Sequence, residues 1–280
     1  MRDYILYHAG CYDGFGGAYV AWKCFGNKAH YLPVRHGNPP PEIPENSQVY
    51  IIDFCYAKQI LLEMLKRHRV TVLDHHRSEQ LPLEELREEA IRSMADNRDM
   101  GFRVEFDLNR SGAMLAWNHF YPEEPAPELI HYIQDRDLQR FSLPDSQEVF
   151  YALCGYPMDF EVWDTLSVEQ LRVEGKAIAG FATQTVNLMC TTAVTWLDIA
   201  GYRIPAVNAS CLFLEVKAKL CELYPEAPFV AYYFDRSDGK RQWGLRSVGE
   251  FDVSEVARQL GGGGHKNDAG FTVSLGLVQQ

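Results

Sequence analysis

The stretch VTVLDHHRS, residues 70–78, runs four residues of strand character into Asp74, His75 and His76 and then at once into polar residues. Ionisable groups at the end of a buried strand are costly unless something satisfies them, so the triplet points to a bound partner. The same form appears twice upstream. DYILYHA (3–9) reads as a buried strand ending near His8, and SQVYIIDF (47–54) as another ending near Asp53. AHYLPVRHG (29–37) is a further strand candidate. Between them CYDGFGG (11–17) reads as a Gly-rich turn, AYVAWKCFG (18–26) as a helix stopped by Gly26, and AKQILLEMLKRH (57–68) as a helix with Leu61, Met64, Leu65 and His68 on one face. Strands alternating with helices predict a parallel sheet covered by helices, the α/β class.

With 280 residues, two domains are expected. Residues 80–110 are charged and irregular and receive no assignment. SGAMLAWNHFY (111–121) and APELIHYIQDRDLQRF (126–141) read as helices separated by the prolines of PEEPAP. The helical pattern over 167–190 then connects a first domain, 1–166, to a smaller mixed α/β domain, 191–280. Its strands are expected over 193–201, 202–209, 228–236 and 242–249, and its helices over 210–224 and 252–260.

Composition narrows the function. Twenty-seven basic against 38 acidic side chains give a formal net charge of −11, which argues against a surface gripping long duplex DNA. A short anionic substrate stays possible where metal ions reverse the charge locally. Seven scattered cysteines without a C-x-x-C pair fit neither a disulfide framework nor a zinc cluster, and suggest a reducing cytoplasm. No run of about 20 apolar residues predicts a membrane span, and the start lacks a signal-peptide core.

In open parallel sheets, ligands gather beyond the carboxyl ends of the strands. His8, Asp53, Asp74, His75 and His76 are all expected at that edge, with Asp13 in the first turn. Carboxylate and imidazole without a thiolate cluster suit manganese or magnesium, and so many acids could hold two ions able to share an activated water and clamp a phosphoryl oxygen. Near the C-terminus LGGGGHKNDAGF (260–271) sets Gly262, Gly263 and Gly264 before His265, a run whose backbone could approach an anion closely. Arg246 lies on a strand candidate shortly before and suits bidentate phosphate contact. Asp135 and Asp137 in IQDRD are further candidates, and Ser111 is expected as an N-cap.

The order HAGCYDGFGGA, IIDF, LDHH, IQDRD, then LRS with GGGGHKNDAG resembles the DHH phosphoesterase superfamily, in the subgroup with the DHH-associated C-terminal domain, which includes nano-RNases and oligoribonuclease-like enzymes. The resemblance implies a parallel-sheet DHH domain with flanking helices, a linker helix and a smaller substrate-binding domain. It implies two manganese ions, with magnesium or cobalt as substitutes. Asp53 would bridge them, His8, Asp13 and His75 would ligate, and one of Asp135 and Asp137 would complete the shell. Asp74 would orient the histidines, while His76 faces the phosphate. Arg246, Gly262, Gly263, Gly264 and His265 would hold the substrate. The first motif departs from the family's pattern, a histidine followed four and six residues later by aspartates. With Asp13 in the second position, Cys11 stands in the first and the loop is one residue shorter. That position would then be weaker, hold a different ion, or use Cys11 as a ligand. Asp268 stands where a small residue is common, and its charge would oppose anion binding unless it points away.

The activity expected is hydrolysis of short oligonucleotides or dinucleotides to nucleoside monophosphates by a cytoplasmic enzyme with no membrane partner, a homodimer being allowed. The alternatives are a phosphoanhydride hydrolase acting on pyrophosphate or polyphosphate, and a catalytically degenerate nucleotide-binding protein.

Overall fold

Strands β1 (Asp3–His8), β2 (His30–Val34), β3 (Gln48–Ile52), β4 (Arg69–Asp74) and β5 (Phe102–Phe106) form one sheet in the order β2-β1-β3-β4-β5, parallel throughout. They are seen in a computed structural model that describes residues 2–35, 37–95 and 101–275. Both faces of the sheet are covered, so its central strands are apolar almost without interruption. Ile5, Ile52 and Leu73 point to one face, where they meet α1 (Tyr12–Phe25), and their chain neighbours Leu6, Ile51 and Val72 point to the other. On that other face lie α2 (Lys58–Leu65) and α3 (Gln80–Ala95), through Leu61, Leu83 and Leu86. Helices α4 (Gly112–Phe120), α5 (Glu128–Asp137), α6 (Ser146–Leu153) and α7 (Phe160–Thr165) extend the first layer, in which Trp163 is fully buried.

Two readings of the sequence are corrected. The glycines of 11–17 form no turn: α1 begins at Tyr12 and carries them in its first two turns. A Cβ at Gly14 would stand 2.5 Å from the His8 carbonyl oxygen, so tertiary packing on β1 has overridden glycine's poor helix propensity. The unassigned stretch 80–110 contains α3 and β5, while 96–100 within it lie outside the described residues, as does His36 of the strand expected over 29–37.

The long helix α8 (Val168–Thr192) covers the expected 167–190 except its first residue, and the chain divides within it into units 1–178 and 179–280. The second unit is a mixed sheet of order β10-β11-β9-β8-β7-β6, built from β6 (Val194–Ile199), β7 (Tyr202–Asn208), β8 (Val230–Asp235), β9 (Lys240–Arg246), β10 (Gly263–His265) and β11 (Asp268–Ser274). Only β7 and β8 pair in parallel. Helix α10 (Val253–Gln259) packs on one core through Val253 and Val256, and α9 (Phe213–Leu223) on the other through Val216 and Leu220. The strand expected at 242–249 begins two residues earlier and ends at Arg246. Among the described residues no helix is long and apolar enough to cross a membrane.

Candidate functional site

A strand order of 2-1-3-4-5 reverses direction between β1 and β3, and the crevice beyond their carboxyl ends is where such sheets bind ligands. His8 ends β1, Asp53 follows β3 directly, and Asp74 ends β4, with His75 and His76 following it. Asp53 adopts φ +65, a left-handed conformation rare for a residue with a side chain, at a cost on the order of 1–3 kcal/mol. The bend is held by a hydrogen bond from Asp53 N–H to the Leu73 carbonyl. Gly112 at the start of α4 makes room for it, since a Cβ there would lie 2.7 Å from the Asp53 Cβ.

The two oxygens of Asp53 face different partners. Oδ1 lies 3.1 Å from His75 Nε2, and Oδ2 lies 3.4 Å from His8 Nδ1. His75 Nε2 is also 3.5 Å from Asp137 Oδ2 and 3.7 Å from Asp13 Oδ2. Among the described residues three groups of potential donor atoms result, each within 4.8 Å: His8, Cys11 and Asp53; Asp53, His75 and His76; and Asp13, His75 and Asp137. Asp13, Asp53 and Asp74 are at most 1% exposed.

Around this centre, second partners fix orientation. Asp74 Oδ1 accepts from the His75 backbone N–H at 2.8 Å and lies 2.8 Å from His76 Nδ1, so one carboxylate orients both residues. Asp13 accepts from the backbone N–H groups of Gly112 at 2.5 Å and Ala113 at 3.0 Å, tying the α1 start to the positive end of α4. Ser111 caps α4, accepting from Met114 N–H, as expected.

Of the two aspartates between which the sequence left the choice open, Asp135 does not join the group. Its carboxylate accepts from Ser142 N–H and Oγ, Leu143 N–H and Ser146 Oγ, so its oxygens are already used in bracing α5 against the following loop. Asp137, two residues on, is the member that reaches His75.

Protonation tests whether cations fit here. Burial opposes a charged His75, yet its hydrogen bond to Asp53 and the charges of Asp137 and Asp13 push it up to about 10. Burial also opposes a charged His76, but Asp74 raises it. Asp137 is pushed up to about 6 by burial and by Asp53, and the same two causes, with Asp137 added, raise Asp13 well above the usual carboxylate range. Burial would raise Asp53 too, but the imidazoles of His75 and His8 hold its carboxyl far below that range. So many buried acids are accommodated without metal only by taking up protons, on His75 and His76 and on Asp13 and Asp137 themselves. The His8 Nδ1, Asp53 Oδ2 and Asp74 Oδ2 atoms are buried without a hydrogen-bond partner. Hard oxygen and imidazole donors converging in this way fit divalent cations, which would take the place of the protons.

In the second unit the glycine run is a hairpin strand. Gly263, Gly264 and His265 pair with Gly270, Ala269 and Asp268, and the close approach is to the protein's own chain, since a Cβ at Gly262 would lie 2.0 Å from the Gly270 carbonyl oxygen. His265 is exposed. Asp268 is neutralised: Lys217 Nζ donates to its two oxygens at 2.6 and 2.7 Å, and Arg246 Nη1 to one at 3.3 Å. The sequence reading missed Lys217, which is 4% exposed. Its signal is a lysine one residue from Val216 and three before Leu220, both fully buried on α9. A surface groove of about 700 Å³ between Pro40–Ile43 and α2 contains none of the predicted site residues.

No family model matches the chain. An uncharacterized protein of Acanthamoeba polyphaga mimivirus is 27% identical over 317 aligned positions, covering 97% of this chain and 68% of that protein. Among solved structures, the pGpG-specific phosphodiesterase PggH of Vibrio cholerae superposes with a TM-score of 0.52 at 11% identity, over 98% of this chain and 94% of that one. An uncharacterized Helicobacter pylori protein aligns over 98% and 93% at 14% identity, with a TM-score of 0.37. The likeness to PggH shows a shared fold.

Proposed function

We propose that the chain is a metal-dependent phosphodiesterase of the DHH phosphoesterase superfamily that hydrolyses dinucleotides or short oligonucleotides to nucleoside monophosphates. The observation that carries this reading is Asp53, whose two buried oxygens face His75 on one side and His8 on the other. That is the arrangement a carboxylate needs to bridge two cations. The motif order read from the sequence and the fold shared with a phosphodiesterase support it.

His8 and Asp53 would hold one ion, and Asp13, Asp53, His75 and Asp137 the other. Divalent ions there would supply Lewis-acid stabilisation of the phosphoryl charge and a water acidic enough to attack phosphorus near neutral pH. The chain's own groups do the rest. Asp74 fixes the His76 ring, and His76 is assigned to the phosphoryl oxygens of the substrate. Asp13, bonded to the amides of Gly112 and Ala113, holds the start of α1 in register with α4. Substrate recognition is assigned to the second unit, through Arg246, His265 and the backbone of residues 262–264.

The test is product release from a two-nucleotide RNA with and without manganese, run beside pyrophosphate. Metal-dependent monophosphate with pyrophosphate untouched is the expected result. Hydrolysis of pyrophosphate alone would replace the phosphodiesterase by a phosphoanhydride hydrolase, and no turnover of either by metal-loaded protein would contradict the reading.

A further inference from the structure

The two candidate ion positions are not chemically alike. Asp13, His75 and Asp137 offer oxygen and imidazole alone, whereas the group on the other side of Asp53 contains Cys11. Cys11 is the last residue before α1, with extended backbone angles of φ −111 and ψ 136, and its side chain does not cap the helix. Serine, threonine, aspartate or asparagine would stabilise that helix start, so helix stability does not explain a cysteine there.

A cysteine in this setting can simply be a small apolar filler. Packing leaves two facts unaccounted for. His8 Nδ1 and Asp53 Oδ2 sit 3.4 Å apart, both buried, and neither has a hydrogen-bond partner. The Cys11 sulfur is within 4.8 Å of a ring nitrogen of His8 and of a carboxylate oxygen of Asp53. Three donors on one tetrahedral ion stand about 3.3–3.8 Å apart at the bond lengths of zinc, so small side-chain adjustments suffice to close the set.

We propose that Cys11, with His8 and Asp53, forms a mixed sulfur, nitrogen and oxygen site that selects a borderline-soft divalent ion, zinc, cobalt(II) or iron(II). The site of Asp13, His75 and Asp137 is the harder one and takes manganese or magnesium. The sulfur–metal bond forms as the thiol proton leaves to solvent. This inference rests on the metal-dependent reading above and deepens it, making the pair of ions unequal in kind.

The experiment uses the full chain, stripped with chelator and dialysed against cobalt(II), with bound cobalt counted and the near-ultraviolet sulfur-to-cobalt charge-transfer absorption recorded. The band is expected in the wild type and in Cys24→Ser, a control at an exposed cysteine. It should vanish in Cys11→Ser and Cys11→Asp, and the latter should shift competition from zinc towards manganese by about tenfold or more, the scale of effects at metal sites. A measurement needing no variant runs beside these: alkylation of the wild type with peptide mass mapping, in which cobalt should protect Cys11 but not Cys24. Cobalt bound without the band, or with Cys11 unprotected, overturns the proposal and leaves the metal-dependent reading standing. A chain that retains neither cobalt, zinc nor manganese overturns both.

Discussion

Two polar groups in this molecule are built from the same kinds of residue and resolved in opposite ways. In the second unit, buried Lys217 and the Arg246 guanidinium meet Asp268, and both carboxylate oxygens are bonded to cations of the chain itself. At the carboxyl edge of the parallel sheet, Asp13, Asp53 and Asp137 surround His75, while buried atoms of His8, Asp53 and Asp74 have no hydrogen-bond partner. A buried charge that is fully paired stabilises a fold or defines its register. A buried group with matched acids and unsatisfied atoms is destabilising by itself, and makes sense as a receptor for a ligand of opposite charge. The contrast is one of chemistry and of burial, since the Asp268 and Arg246 side chains are each 27% exposed and that of Asp53 is 2% exposed.

The sharpest way to break the comparison is Asp53→Asn. It should lower metal-activated hydrolysis by well over the roughly 100-fold reached by outer partners, and unchanged turnover in a folded, metal-loaded variant would end the bridging assignment. Asp74→Asn comes next. It removes the carboxylate that orients His76 and should cost about 10–100-fold in activity with its fold intact, read in steady-state kinetics and circular dichroism. Asp135 and Asp137 then make a matched pair. Asp135→Asn should destabilise by about 1.5–3 kcal/mol, through loss of charge-assisted hydrogen bonds, and keep its metal. Asp137→Asn should lose metal affinity with little loss of stability. Urea unfolding and metal analysis on both separate the roles, and an exchange of the two outcomes would reverse them.

Why the sequence left that pair open is geometric. Successive helical residues turn about 100°, so residues two apart face nearly opposite sides, and choosing between them requires knowing what each side meets. Ser142 and Ser146 decide it for Asp135, and neither has a pattern pointing back to α5. The strand ends were legible because each buried run stops at an ionisable residue: His8, Asp53 and the triplet 74–76. The start of α1 was not, because Gly14, Gly16 and Gly17 read locally as a turn and become helical only against β1, β3 and α4. Lys217 was hidden for a related reason: a lysine on an apolar helix face announces a partner without saying that the partner is Asp268.

Smaller effects sharpen the second half of the comparison. Arg246→Ala should raise KM by about tenfold or more with kcat little changed, matching about 1.5–3 kcal/mol for a charged hydrogen bond, and an unaltered KM would remove it from substrate recognition. The protons gathered around His75 give a further test. The folded, metal-free chain holds a proton on His75 that the unfolded chain releases, so its stability should fall as pH rises from 6.5 towards about 10. Asp137 acts with the same sign between 3.8 and about 6. Metal-loaded protein should show a flatter profile in thermal unfolding, and a metal-free Tm that climbs from pH 6.5 to 10 would contradict the assignment.

The most direct test of the central claim is a count of ions. Metal-free chain dialysed against manganese and a second ion, cobalt, should retain two divalent ions per chain, and Asp53→Asn should retain fewer while staying folded. Wild-type protein that holds no ion above background, or an Asp53→Asn variant that holds as many as the wild type, would contradict a bridged metal centre at the end of β3.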